Sequence, residues 1–357
     1  AAAGLTTGQE SIRGQVILRG IGIGKLPVIN VENACASAST AVNQAAAMIT
    51  AGAYDCVLAL GVEKLYNEDK RKTFGAFSGA VDVEMLQEFM AGLKKQAESA
   101  GATSGSSGAG ENRSMFMDIY ASAARSHMER YGTTVEQFAG VSAKNSRHGH
   151  LNPRAQFRNE MTVEEVLADR MIAEPLTRSM CSPIGDGAAA VVLVSAERAQ
   201  RMGIGNPVRI RSSVLHSGWD RDPGEPDVAR LCVAEAYEEA GVGPDDLDVV
   251  ECHDASAPAE IIAYEALGLC ADGEGGTLIE ARATAARRGQ RSLKSRSTLK
   301  AMPEDAKACS HNSTMRRGVI LSGSVPPISR HSARPSSTAC RYAPRSGAKC
   351  ITPKSSA

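Results

Sequence analysis

Aromatic side chains are scarce in this chain of 357 residues: one Trp, seven Tyr and six Phe, 4% of the whole. A core must therefore be built mainly from Ala, Val, Ile and Leu. No apolar run approaches the ~20 residues that cross a bilayer, which excludes a transmembrane helix read from hydropathy. The opening AAAGLTTGQE has neither the basic nor the apolar region of a signal peptide. It also lacks Met, and the expectation drawn from this is a start inside a longer chain. No CxxC pair occurs, so zinc-ribbon and thioredoxin-like chemistry find no support and no metal site is expected. The nine cysteines are too few for a dense disulfide framework, and Cys35, Cys56, Cys181, Cys232, Cys252 and Cys270 sit singly in apolar or helical patterns. Free thiols in a reducing cytoplasm are the plain expectation.

What the sequence has is an uneven charge. The formal net charge is zero, yet residues 281–357 carry 16 Lys and Arg against only Glu304 and Asp305. The remainder is acidic by the same margin. Two such compositions in one chain call for two explanations. From about residue 277 no period of 2 or 3.6 is sustained, and a segment so rich in Ser, Arg and Pro buries too little apolar area to offset its ordering entropy. A disordered, non-native basic tail over 281–357 is expected, and a shift of reading frame accounts for it. Nothing in it supports nucleic-acid binding: there is no motif, no interleaved aromatic and no folded scaffold.

Upstream the pattern is that of an α/β protein. Residues 27–31 (PVINV) read as a buried strand, 37–51 as an Ala-rich helix closed by Gly52, and 56–62 (CVLALGV) as a second buried strand. A βαβ unit of this kind implies a parallel sheet with a right-handed crossover. Helices follow at 114–131 and 134–144, with Thr133 and Glu136 resembling a capping box. A Gly- and Ser-rich loop fills 101–113, and a polar connector leads from 145 to a helix at 162–172. A strand at 188–194 and a short helix at 195–202 close the first half. After Gly205-Asn206-Pro207 the pattern restarts, with strands at 208–215 and 248–252 and helices at 227–242 and 258–267. The expected domains are 1–204, with an irregular inserted region at about 64–180, then a partial second domain at 205–280.

Two residues carry candidate chemistry. Cys35 lies between a strand and the first turn of a helix, where backbone N–H groups and the helix dipole favour an anion and lower a thiol pKa. An inert buried cysteine fits the same spacing. His253 follows the strand ending at Cys252 and precedes a helix. Ligand sites gather at such strand ends, and an imidazole there can donate to an oxyanion; a capping or surface His-Asp pair fits as well. Two further segments read as structural. In SPIGDGAAAVVL (182–193) the glycines make a tight turn without phosphate-loop spacing, and Asp186 is expected to bond nearby backbone N–H groups. The basic stretch 144–158 suits either a nucleotide tail or a solvated loop.

Three of these pieces occur together and in order in one family. NVENACASAS resembles the nucleophile motif of thiolases. KNSRHGHLNPRAQFR followed by MCSPIGDGAAAVVL resembles the sterol-carrier-protein-type thiolases, and CHDASAPAEIIAYEALGLC resembles their His-Asp-Cys-Phe motif. The resemblance implies the thiolase fold: two similar halves, each with a mostly parallel sheet and central helices, the second half here incomplete. It implies an enzyme, an acyltransferase acting on 3-oxoacyl-CoA through Cys35, with His253 contributing to the oxyanion hole. Coenzyme A is then a co-substrate and the cofactor list is empty. A homodimer joined through the first half is implied, with acyl-CoA as the small-molecule partner and neither nucleic acid nor membrane. The sequence also departs from the family. Gly-His-Pro, which supplies the activating histidine, does not occur, nor does the late Cys-x-Gly. Ala255 and Ser256 stand where Cys and Phe are usual. Impaired turnover is therefore expected. The alternatives are a thiolase-fold steroid side-chain aldolase working with a small partner protein, and a non-catalytic acyl-CoA or lipid-binding module.

Overall fold

The computed structural model describes residues 11–281 and 284, apart from 86, 89, 90, 93, 94, 96–112, 223 and 224. The loop expected at 101–113 lies outside these residues except for Arg113, and the tail expected at 281–357 lies outside except for Ala281 and Thr284. Among the described residues no helix is long and apolar enough to cross a membrane.

The chain is α/β. A short helix α1 (Arg13–Gly20) precedes the three-residue turn Ala34–Ala36, which runs directly into α2 (Ser37–Thr50). Strand β1 (Cys56–Glu63) follows, then α3 (Lys70–Gly75), α4 (Phe116–Tyr131), α5 (Val135–Leu151) and α6 (Val163–Leu167). A small hairpin of β2 (Met171–Ala173) and β3 (Leu176–Thr177) leads to β4 (Gly187–Val194) and α7 (Ala196–Arg201). The last helices are α8 (Val228–Ala240), α9 (Ala257–Ala266) and α10 (Gly275–Glu280).

Two cores hold these elements. The larger gathers Ala121 and Ala124 of α4, Phe138, Ala139 and Val141 of α5, Val166, Leu176 and Met180, with Ile261 and Tyr264 of α9 and Ile279 of α10. Their spacing of three and four along each helix is the apolar stripe of an amphipathic helix. Phe138, Leu176 and Ile261 are fully buried, each stabilising by roughly 1.5–3 kcal/mol. Gly140 on α5 faces Ile279: a Cβ there would lie 2.7 Å from its Cγ2, so glycine sets the approach of α10. The smaller core is Ala45 of α2 against Ala59 and Leu193 of the β1–β4 pair.

Several elements differ from expectation. β1 pairs with β4 antiparallel, Cys56 opposite Val194 through Glu63 opposite Gly187. Residues 27–31, 208–215 and 248–252 form no ladder among the described residues, so the expected parallel βαβ unit is absent there. β-branched alternation sets which faces a strand would present but supplies no partner edge; Ile29 and Val208 are 64% and 70% exposed. The helix expected at 162–172 stops at Leu167, and Met171–Ala173 turns into the hairpin. The connector expected from 145 is helical as far as Leu151. The capping box lies one residue later than expected: Thr134 Oγ1 accepts from the Gln137 N–H while the Gln137 side chain accepts from the Thr134 N–H. The Thr133 hydroxyl is engaged elsewhere, 2.8 Å from His127 Nδ1.

Candidate active site

Cys35 sits at the middle of the Ala34–Ala36 turn, exposed, with Ala36 and Thr40 buried beneath it. Ala34 has φ 44°, in the left-handed region that costs an L-residue roughly 1–2 kcal/mol. The turn is tied down from the segment before it. Glu32 Oε1 accepts from the Ala34 N–H at 3.1 Å and lies 3.0 Å from Ser37 Oγ, while Oε2 accepts from Arg13 Nη2 at 2.8 Å. Ser37 Oγ in turn accepts from the Asn33 N–H at 2.8 Å, and Asn33 Nδ2 donates to Thr40 Oγ1 at 2.9 Å.

The thiol is not acidic as expected from its place before a helix. Although Cys35 keeps exposed surface, partial desolvation by the surrounding protein pushes the pKa up, the Cys35 backbone N–H lowers it, and the Glu63 charge raises it again. Desolvation outweighs the Cys35 backbone N–H, so the resting state is the thiol.

His253 and Asp254 occupy a loop between Cys252 and the start of α9. The loop is pinned by the Ser182 N–H donating to the Ala255 carbonyl at 3.0 Å and by a bridge between Cys181 and Ser256. Two segments singled out in the sequence, 182–193 and the His-Asp stretch, are thereby joined. His253 and Asp254 both keep solvent-exposed surface. Partial desolvation lowers the His253 pKa, which keeps the imidazole neutral at pH 7 with one N–H to donate. Burial, then the nearby Glu260 charge, raises Asp254 to about 6.

Behind this loop is a network the sequence reading missed. Glu260 on α9 is 4% exposed and pairs with Lys144 of α5 and with the Tyr264 hydroxyl. Asn145 Nδ2 donates to Glu260 Oε2 at 2.8 Å and to Asp254 Oδ2 at 3.3 Å. An acid on the buried stripe of α9 and a lysine facing it from α5 were the available signal. The basic stretch 144–158 is thus divided: Lys144 is internal, while Arg158 and His150 bond each other's backbone carbonyls. Asp186 does bond backbone N–H groups, those of Leu65 and Tyr66 at 2.8 Å each, and pairs with Lys64 at 2.6 Å.

Burial raises the Tyr120 pKa first, and the charges of Cys35 and Asp254 raise it further, so this phenol on α4 stays protonated.

The family described as "Thiolase, N-terminal domain" matches residues 3–197, and "Thiolase C-terminal domain-like" matches 218–293. Benzoylsuccinyl-CoA thiolase subunit BbsB of Thauera aromatica is 36% identical over 270 residues, 74% of this chain and 63% of the relative. Sterol carrier protein 2 of Homo sapiens is 32% identical over 291 residues, covering 78% of this chain and 50% of the relative. An acetyl-CoA acetyltransferase of Methanothermobacter thermautotrophicus is 36% identical over 284 residues, 78% of this chain and 67% of the relative. The chain therefore spans between half and two thirds of the length of these relatives. Among solved structures, the Ltp2-ChsH2(DUF35) aldolase aligns with a TM-score of 0.55 at 23% identity, over 76% of this chain and 67% of that one.

Proposed function

The chain belongs to the thiolase superfamily, in its sterol-carrier-protein-type branch, and on that premise we propose that it is an acyltransferase acting on 3-oxoacyl-CoA in lipid or sterol breakdown. Cys35 is the acyl-accepting nucleophile. Its thiolate adds to the 3-oxo carbon, and the bond between the second and third carbons breaks. The electron pair leaves on the acetyl-CoA fragment, which takes up a proton. The thiolate of free CoA then displaces Cys35 and carries off the shortened acyl group. His253, neutral and with an N–H to give, donates to the oxyanion. Coenzyme A is a co-substrate, no resident cofactor is needed, and the working unit is a cytoplasmic homodimer.

The observation that carries this reading is an exposed cysteine in a left-handed, carboxylate-tied turn at the head of α2, inside the region that matches the thiolase N-terminal domain. The raised thiol pKa and the absence of Gly-His-Pro from the sequence make the chain a slow catalyst; lack of a positioned base typically costs ~10²–10⁴-fold. Incubation with acetyl-CoA followed by peptide mass mapping tests the reading. One acetyl group on the Cys35 peptide, absent from Cys35→Ser, is the expected result. Acetylation elsewhere, or none at saturating acetyl-CoA, sinks it.

A second reading, cleavage of a carbon–carbon bond without a cysteine adduct, is favoured by one observation. Asp254, titrating near 6, is a carboxylate base at neutral pH close to a neutral imidazole. Under that reading Cys35→Ser keeps its cleavage activity and Asp254→Asn loses it.

A further inference from the structure

We infer that Glu32 is a positioning residue for the nucleophile, holding the Cys35 turn in its left-handed form through a carboxylate shared between the Ala34 amide and Ser37. The inference rests on the reading of Cys35 as the acyl acceptor. Its geometric basis is independent of that reading.

Ala34 has no intrinsic reason to adopt φ 44°; a Cβ disfavours it. What offsets the cost is the contact made on one side of the turn. Glu32 Oε1 takes the Ala34 N–H at 3.1 Å, and Ser37 Oγ sits 3.0 Å from the same oxygen and 2.8 Å from the Ala34 carbonyl. The Ala34 amide is thus held by Glu32, and the Ser37 hydroxyl, with a single hydrogen to give, lies within reach of both the Glu32 carboxylate and the Ala34 carbonyl. Arg13 holds the other carboxylate oxygen at 2.8 Å, so α1 serves as the fixed point of the device. With the Ala34 amide committed to Glu32, the backbone N–H left facing the sulfur is that of Cys35, which favours the thiolate. Loss of the clamp lets Ala34 relax toward negative φ. The peptide unit carrying the Cys35 N–H then rotates, and the sulfur loses its one helpful donor.

The side chain of Glu32 is half exposed, so the device acts through geometry rather than through a buried charge. This separates it from Glu63, whose charge opposes the thiolate. Glutamine at position 32 keeps the carbonyl oxygen needed by the Ala34 amide. Alanine removes it. Glycine at position 34 removes the strain that the clamp offsets.

The test uses the full chain and four proteins: wild type, Glu32→Gln, Glu32→Ala, and Glu32→Ala combined with Ala34→Gly. The rate of Cys35 alkylation by iodoacetamide is followed against pH by peptide mass mapping, with Cys35 acetylation by acetyl-CoA alongside. Glu32→Ala is expected to move the alkylation profile upward by about one pH unit, a tenfold loss of rate near neutrality. Glu32→Gln stays within about threefold of wild type, and Ala34→Gly restores most of the lost rate. An unchanged profile in Glu32→Ala overturns the inference. So does a loss that Ala34→Gly fails to restore, since that describes general misfolding. If the alkylation pattern holds but no protein is acetylated, Glu32 positions the thiol and the acyltransferase reading fails. If Glu32→Ala is acetylated at the wild-type rate, the reverse is true.

Discussion

Lys144 and Glu260 illustrate how a single buried pair governs the region behind the His-Asp loop. Their side chains are 12% and 6% exposed, and the remaining donors to Glu260 are Asn145 and Tyr264. Lys144→Met leaves a carboxylate in the core with its main counter-charge gone. We expect a loss of about 3–5 kcal/mol in urea unfolding, largely recovered in Lys144→Met/Glu260→Leu, because an apolar pair can replace a buried ion pair. A double variant no more stable than the single one contradicts this account. Asp254, beside it, makes a pH prediction. Its folded pKa, about 6, lies above the ordinary 3.8, so between those values the folded state binds more protons than the unfolded one and stability falls as pH rises. Asp254→Asn removes that penalty. Its thermal midpoint is expected to exceed that of wild type above pH 6, with the difference shrinking toward pH 4; a difference that is flat with pH rules out the raised pKa of this carboxyl. At this scale Cys35 and His253 could be proposed from sequence because residue type and spacing resemble a motif. Glu32 and Asn145 could not, since their contacts run across a turn or between helices and no local pattern encodes them.

Helices were legible from three-and-four spacing, and α2, α4, α8 and α9 lie within a few residues of where that spacing puts them. Strands were legible only where a partner edge exists. CVLALGV and AAAVVLV found each other, whereas PVINV (27–31) and DVVEC (248–252), also β-branched but each carrying polar residues, remain unladdered among the described residues. A helix satisfies its backbone within itself and a strand cannot, so sequence reading fails on the second kind first. The junction of α2 with β1 depends on one glycine. A Cβ at Gly61 would lie 2.8 Å from the Ala38 Cβ, closer than side chains tolerate. Gly61→Ala must push the first turn of α2 away from the strand, and that turn adjoins Cys35. A destabilisation of about 1–3 kcal/mol is expected by urea unfolding, together with slower Cys35 acetylation. Unchanged acetylation in a destabilised variant shows that the head of α2 can move without disturbing the thiol. Thr134→Ala offers a milder comparison: it removes the α5 cap, costs about 1 kcal/mol, and leaves Cys35 untouched.

Across the whole molecule, the β1–β4 pair is the part whose composition exceeds what the described structure covers. Both strands are nearly continuous apolar runs, the pattern of strands buried on two faces. Helix α2 covers one face, where Ala59 and Leu193 pack on Ala45. On the register pair Leu58 and Val192 the side chains are 43% and 64% exposed. An apolar sheet face left open to water among the described residues is unfavourable, and under the homodimer proposed above a second copy of this chain would cover it. Self-association is therefore expected in sedimentation equilibrium, and Val192→Lys, placing a charge on the open face, should shift the population toward monomer by tenfold or more in dissociation constant, about 1.4 kcal/mol. The same substitution points away from α2, so Cys35 alkylation in the monomer should match wild type. If Val192→Lys leaves the association constant unchanged, the copies meet elsewhere and this face is covered by something other than its own twin.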